Sequence, residues 1–191
     1  MSQSERTQKE GDIARRRIRL TASGQIVYPR IIVKPPRPGD VHPLTRQDLR
    51  SLFKRIPLKY LYGLRRIELR SRGNDEIGHP YGSYRPGEKV IVLYSLPYEW
   101  RFPGYNAGNV YSSFRRFCAE ITEDDDSVIV RWPDPKKLSY WFYSDVFAHE
   151  LGHHFRWQYR HKNGRFGRLR DEELVAELHA ERLTKARFVF K

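Results

Sequence analysis

The chain has 191 residues, which is enough for one domain with a sizeable core. It has no apolar run of transmembrane length, and its polar N-terminus has no apolar segment like that of a signal peptide, so we expect a cytoplasmic protein without a membrane span. A single cysteine, Cys118, excludes an intrachain disulfide and a cysteine-based zinc site, so any metal must be held by His, Asp or Glu.

The charge of the chain is strongly basic. Lys and Arg number 36 against 23 Asp and Glu, which gives a net charge of +13. Such a chain attracts polyanions, and nucleic acid is therefore a candidate partner through the basic surface. The alternative is that the basic residues serve solubility and ion pairing, because they are spread along the whole sequence.

Residues 1–40 are predicted to form a basic N-terminal arm and linker that is partly disordered. Up to Arg19 the sequence is polar and lacks sustained periodicity, and it ends in the cluster Arg15-Arg16-Arg17-Ile18-Arg19. Ile31-Ile32-Val33 has strand character, but Pro35-Pro36-Arg37-Pro38-Gly39 ends any regular element. We therefore expect residues 41–191 to form the single globular domain.

The first part of this domain combines helix signals with short strand patterns. Thr45 is a predicted helix N-cap, and Asp48 completes a capping-box pair in a helix that should end before Pro57. A second helix is predicted over residues 110–121, followed by an acidic turn at 124–126. Strands are predicted at 67–70, 89–94 and 127–132, with a turn or short edge segment at 82–84.

The second part of the domain is predicted to be a helical hairpin. Asp134 precedes Pro135 as an N-cap precedes the first helical residue, and a long helix could run from there to about Lys162. Helical spacing resumes over residues 171–187. Strands followed by two antiparallel helices indicate an α+β fold, with a small antiparallel or mixed sheet packed against the hairpin.

The first of these helices carries the motif His149-Glu150-Leu151-Gly152-His153. Histidines four residues apart project from one face of a helix, so both imidazoles can bind one zinc ion. Glu150 is then the general base that takes a proton from a metal-activated water. Gly152 destabilises a helix interior by roughly 1 kcal/mol, which predicts the close approach of a neighbouring element.

A catalytic zinc site needs a third protein ligand, and the second helix offers Glu173, Glu177 and Glu181 at intervals of four. The alternative is that all three are solvated surface charges. If the first helix ends near Lys162, the returning helix draws level with His153 close to Glu177. An earlier end would favour Glu173, which is the alternative metal ligand.

These residues resemble the gluzincin metallopeptidases, in which a glutamate-bearing helix follows the HExxH helix. Residues 177–183 resemble the E-x-x-A-D pattern of that family, which implies that Glu177 is the zinc ligand and Glu181 the acceptor that orients a ligand histidine. Glu181 stands where Asp is usual. The resemblance covers about residues 89–187 and implies a zincin-like fold, with the segment 89–94 as a strand beside which an extended peptide binds.

The function predicted from these residues is zinc-dependent hydrolysis of peptide bonds in a peptide or protein substrate. The alternative is a DNA-associated protein of zincin fold, either an SprT-like DNA-protein crosslink protease or a phage-repressor-type regulator. His161 would be the third ligand in the SprT-like case, while His154 is read as a packing or surface residue and His179 as a reserve ligand. Tyr84, His161 or an arginine could stabilise the transition state.

Overall fold

The structure is a computed structural model that describes residues 27–72, 80–103, 112–117, 119–158 and 169–185. The predicted arm up to residue 26, Cys118 and His161 lie outside the described residues. The fold is mixed α+β, with small sheets and several helices. Within the described ranges, every helix is too short or too polar to cross a membrane.

The strands are short. In chain order they are β1 (Arg30–Val33), β2 (Asp40–Val41), β3 (Arg66–Arg70), β4 (Gly82–Arg85), β5 (Val90–Tyr94), β6 (Leu96–Pro97), β7 (Glu99–Pro103), β8 (Glu120–Asp124) and β9 (Ser127–Arg131). The helices are α1 (Arg46–Phe53), α2 (Leu58–Leu61), α3 (Ser112–Arg116), α4 (Pro135–Trp141), α5 (Ala148–Gln158) and α6 (Leu169–Lys185). A π-helical turn (Phe142–Phe147) joins α4 to α5.

The largest sheet has the strand order β1-β3-β5-β4. Strands β1, β3 and β5 are parallel, and β4 is antiparallel to β5. The first four residues of β5 are buried, because that strand is paired on both sides and covered on both faces. Strand β1 pairs with β3 from Arg30 opposite Arg66, so residues 30–33 of the predicted arm belong to this sheet.

The position of β5 corrects one expectation. Residues 89–94 were expected to bind an extended peptide as a neighbouring strand, but β5 has β3 on one side and β4 on the other. Neither of its edges is open. Among the described strands of this sheet, the outer strand next to the helices is β4, in the segment that the sequence predicts as a turn or short edge segment.

The second sheet is antiparallel with the order β7-β9-β8. Residues 120–124 form strand β8, whereas the sequence predicted a helix as far as residue 121. The predicted acidic turn closes a tight hairpin instead, with Asp124 opposite Ser127. This cross-strand pairing outweighs the weak helical pattern, and α3 ends at Arg116. Trp100 on β7 packs against Phe114 and Trp141, which connects this sheet to the helical layer.

The helical layer follows the predicted start signals. Asp134 accepts a hydrogen bond from the Lys136 backbone N–H, and Pro135 is the first residue of α4. The long helix is not continuous α-helix, because Ala148 N–H donates to Tyr143 C=O in an i to i−5 bond. Such π-turns occur frequently at functional sites, and this one directly precedes the helix that carries the motif.

Candidate metal centre

Helix α5 places two imidazoles together. His149 and His153 are one turn apart, and their Nε2 atoms are 2.9 Å from each other. Each side chain is about one fifth exposed, so the pair lies in a cleft rather than on open surface. Burial, and after it the neighbouring His149, lowers the pKa of His153. A neutral imidazole is the form that binds a metal ion.

Glu173 on α6 completes a group of three ligand side chains. Its Oε2 is 3.2 Å from His149 Nε2 and its Oε1 is 3.5 Å from His153 Nε2. Ligands at the usual zinc distances stand about 3.3 Å apart around a tetrahedral ion. The three observed separations of 2.9, 3.2 and 3.5 Å bracket this value, so the group can hold a metal ion.

Gly152 brings the two helices close enough for this. A Cβ at residue 152 would lie 2.6 Å from the carbonyl oxygen and 2.8 Å from the Cα of Ala176. The prediction of a close approach at Gly152 is therefore confirmed, and the neighbouring element is α6. Ala176 therefore marks the face of α6 that meets α5, and at about 100° per residue Glu173 lies about 60° around the helix from Ala176, whereas Glu177 lies about 100° from it.

The structure brings Glu173, and not the favoured Glu177, to the two histidines. From the predicted end of the first helix near residue 162, the residue of the returning helix level with His153 was expected to be about 177. The contact between Gly152 and Ala176 places that residue about two positions earlier. A spacing of four residues also rotates each successive side chain by about 40° around the helix. Glu177 and Glu181, both exposed, are consequently turned progressively further from the α5 face, and neither belongs to the ligand group.

Glu150 is buried beside this group, on the side that faces strand β4. Its carboxylate accepts a hydrogen bond from the Tyr84 backbone N–H, and Gly82 lies so close that a Cβ there would be 3.1 Å from Glu150 Cγ. Burial raises the pKa of Glu150 to about 8, and the charge of Glu173 acts in the same direction. The motif carboxylate is thus held by the edge strand, outside the ligand group.

His154 links α5 to the same strand and to the loop after α2. Its Nε2 is 2.9 Å from the Tyr62 carbonyl oxygen, which can only accept, so Nε2 carries the proton. The Nδ1 atom, 3.1 Å from Tyr84 Oη, must then accept the hydroxyl proton of Tyr84. Burial lowers the pKa of His154 to about 4, which keeps this arrangement neutral. His154 is therefore a buried packing residue, in agreement with its interpretation from sequence.

A cleft of about 280 Å³ opens between β4 and the two helices. Glu150 and His153 form part of its wall, together with Arg156 and Trp157 of α5. Arg156 lies 3.9 Å from Glu172 of α6, which also lines the cleft. A substrate entering here would meet the general-base candidate, a metal ligand and a guanidinium within one small volume.

No family model, curated protein or solved structure matches this chain. The assignment of the site therefore depends on its own geometry.

The sequence did not single out Arg156 or Gly82. Helical spacing could have found Arg156, because it is three residues after His153 on the same helix. Gly82 gave no such signal, since its role depends on how closely β4 approaches α5. His179, the reserve ligand, is instead hydrogen-bonded to Tyr60 Oη at 2.9 Å and stands outside the ligand group.

Proposed function

We propose that the chain is a zinc-dependent metallopeptidase of the gluzincin type with a zincin-like fold. The observation that carries the proposal is the convergence of His149 Nε2, His153 Nε2 and the Glu173 carboxylate, with Glu150 beside them. Two imidazoles and one carboxylate from a pair of helices form the protein donor set of a catalytic zinc site. Glu173 takes the ligand role that the sequence resemblance gave to Glu177.

Zinc suits this site better than calcium or magnesium. Calcium and magnesium prefer sites built from oxygen ligands, whereas imidazole nitrogen favours zinc and its transition-metal neighbours. When bound, zinc polarises the scissile carbonyl and lowers the pKa both of an attached water and of a nearby carboxyl group. The remaining requirements fall on the residues of this chain.

Glu150 is proposed to move the proton. In the proposed reaction its carboxylate takes a proton from the attacking water and passes it to the nitrogen of the leaving amine. The Tyr84 N–H bond and the contact with Gly82 orient this carboxylate towards the cleft. The residue needs no direct role in holding the metal, so its proton transfer can be removed separately by substitution.

The substrate is proposed to be an extended peptide that adds to the open edge of β4. Tyr94 N–H donates to Tyr81 C=O across the pair with β5, at 3.0 Å. Antiparallel pairing alternates, so the backbone polar groups of Gly82 and Tyr84 point away from β5. The Tyr84 N–H on this side is taken up by Glu150, so a bound peptide is proposed to pair with the remaining backbone groups of this edge and to lie next to the general base.

Arg156 is proposed to stabilise the negative charge that develops on the substrate carbonyl oxygen. It lines the cleft beside His153 and Glu150. Tyr84, one of the donors considered from sequence, is less suited because its hydroxyl proton is directed to His154. A fixed cation in a cleft shielded from water contributes several-fold more than one in bulk solvent.

The test is metal analysis of the purified protein together with a proteolysis assay on an unfolded protein substrate. We expect about one zinc ion per chain and hydrolysis that a chelator abolishes and added zinc restores. Glu150→Gln should retain the zinc and lose hydrolysis, because the amide cannot accept the proton. Absence of bound zinc after reconstitution, or full hydrolysis by Glu150→Gln, would overturn the proposal.

A further inference from the structure

Three cationic residues lie at the amino ends of the parallel strands and line one cavity. Arg30 begins β1, Arg65 immediately precedes β3 and Lys89 immediately precedes β5. Their backbones are directly connected, because Arg30 N–H donates to Arg65 C=O and Arg65 N–H donates to Lys89 C=O. Neighbouring strands lie about 4.8 Å apart, so the three strand ends span about 10 Å, and Arg30 is in register with Arg66, one residue after Arg65.

These cations line one cavity of about 800 Å³, which we call the basic cradle. The lining of the basic cradle includes Arg30, Arg65 and Lys89, the ion-paired Arg66, and Tyr28, Tyr62 and Ile32. It is larger than the cleft at the candidate metal centre, and the two share no lining residue. A volume of this size is in the range of small-ligand sites.

The three cations have no acidic partner among the described residues. Their neighbour Arg66, by contrast, is hydrogen-bonded to both Glu68 and Glu88. Lys89 also has a φ of 57°, in the left-handed region that lysine rarely adopts. Adjacent like charges and a strained backbone both oppose folding, and such features persist where a site requires them.

The flanking chain does not supply the missing negative charge. Residues 1–26 contain six basic and three acidic residues, and residues 159–168 contain four basic and no acidic residues. These segments adjoin Val27 and Gln158, which both line the basic cradle. Both flanking segments thus have a net positive charge in sequence, and the occupant that complements the cations of the basic cradle carries negative charge.

The aromatic and apolar residues that line the basic cradle indicate which groups, besides negative charge, the occupant carries. Tyr28 is 37% exposed and Ile32 is 39% exposed, so the basic cradle offers aromatic and apolar surface beside its cations, with one face of the Tyr28 ring stacked on Phe53. Arginine binds phosphate oxygens, and tyrosine rings stack on bases. A duplex keeps its bases stacked inside, whereas an unpaired nucleotide can place its base in a cavity.

The geometry points to a binding site for single-stranded nucleic acid in the basic cradle. Arg30, Arg65 and Lys89 contact successive phosphates, and Tyr62 or Tyr28 receives an unpaired base. The site goes beyond the proposed peptidase function and does not depend on a bound metal. DNA and RNA share this chemistry, because the phosphates and the base faces are common to both.

The test uses the full-length protein and fluorescently labelled 12-residue oligo(dT) and oligo(U), with binding measured by anisotropy at several salt concentrations. The variant Arg30→Gln/Arg65→Gln removes two unpaired exposed cations. The control Lys136→Gln/Lys137→Gln removes two exposed cations from α4, neither of which lines the basic cradle. Thermal unfolding and zinc content should be unchanged in both variants, because all four side chains are exposed.

We expect Arg30→Gln/Arg65→Gln to weaken binding of at least one oligonucleotide by tenfold or more at low salt. The slope of log affinity against log salt should fall by about 1.4, since each phosphate contact on a single strand contributes about 0.7. The control should stay within about twofold of wild type. Comparing the two oligonucleotides shows whether the site prefers DNA or RNA.

Three results would overturn the proposal. Equal losses in the two variants would show that net charge, and not the basic cradle, carries the binding. A duplex bound as tightly as the single strand would show that no unpaired base is received. Displacement of the oligonucleotide by poly-glutamate at equal charge would identify the ligand as an acidic polypeptide.

Discussion

The contact between Gly152 and Ala176 makes a sharp prediction for Gly152→Ala. The new Cβ would lie 2.6 Å from the Ala176 carbonyl oxygen, whereas ordinary contacts begin near 3.4 Å, so α6 must retreat by about 0.8 Å. A metal site tolerates departures of only about 0.2 Å from its preferred distances. Because Glu173 is carried by α6, we expect the affinity for zinc to fall at least tenfold, the range typical when the support of a ligand is disturbed.

The same substitution, Gly152→Ala, should change the free energy of unfolding of the metal-free protein less than it changes the affinity for zinc. Overpacking destabilises by about 1–3 kcal/mol, and replacing glycine by alanine in a helix returns roughly 1 kcal/mol. Urea unfolding measures the change in the free energy of unfolding, and competition with a chromophoric chelator measures the zinc affinity. Gly87→Ala is the matched control, because its Cβ would meet no atom within 4 Å. Wild-type zinc affinity in Gly152→Ala would refute the claim that this contact sets the position of the third ligand.

Two further predictions concern side chains of the cleft and the half-buried His179 of α6. Tyr84→Phe should leave hydrolysis within a few fold of wild type, because the hydroxyl proton of Tyr84 is directed to His154. Arg156→Gln should lower kcat at unchanged zinc content, because Arg156 lines the cleft. A larger loss of hydrolysis in Tyr84→Phe than in Arg156→Gln would make Tyr84 the transition-state donor. Burial lowers the pKa of His179 to about 4 in the folded chain. In the unfolded chain this imidazole binds a proton near pH 6.5, its ordinary pKa. The unfolded state therefore binds more protons than the folded state below pH 6.5, and the free energy of unfolding falls as the pH drops from 6.5 towards 4. The drop in Tm between pH 7.5 and pH 5 should therefore be smaller in His179→Gln, and an equal drop in both proteins would show that this histidine does not contribute.

The local parts of the site could be predicted from the sequence. Two histidines four residues apart share a helical face whatever surrounds them, and the start of α4 at Asp134 and Pro135 depends only on capping chemistry. The close approach at Gly152 followed from the cost of glycine in a helix. Each of these inferences uses residues within one or two turns of each other.

The parts that depend on distant contacts could not be predicted in the same way. The choice between Glu173 and Glu177 depends on which face of α6 meets α5, and the backbone contact at Ala176 sets that face. The hairpin estimate relied instead on a helix end near residue 162, outside the described residues. Pairing the small residue Gly152 with a small residue of the second helix would have been the better guide to the register.

The edge strand and strand β8 were misjudged for a related reason. Whether β4 or β5 is open to a peptide depends on the strand order β1-β3-β5-β4, which no short sequence pattern encodes. Strand β8 owes its conformation to its pairing with β9, in which Ile121 lies opposite Val130. In both cases the neighbouring strand, rather than local propensity, decides the structure.

The most direct test of the central claim compares zinc binding by Glu173→Ala and Glu177→Ala. Both variants remove one exposed carboxylate from the same helix, one turn apart, so their effects on net charge are equal. The structure predicts that Glu173→Ala loses most of its zinc affinity while Glu177→Ala remains close to wild type. Loss of zinc by Glu177→Ala with retention by Glu173→Ala would contradict the ligand group described here.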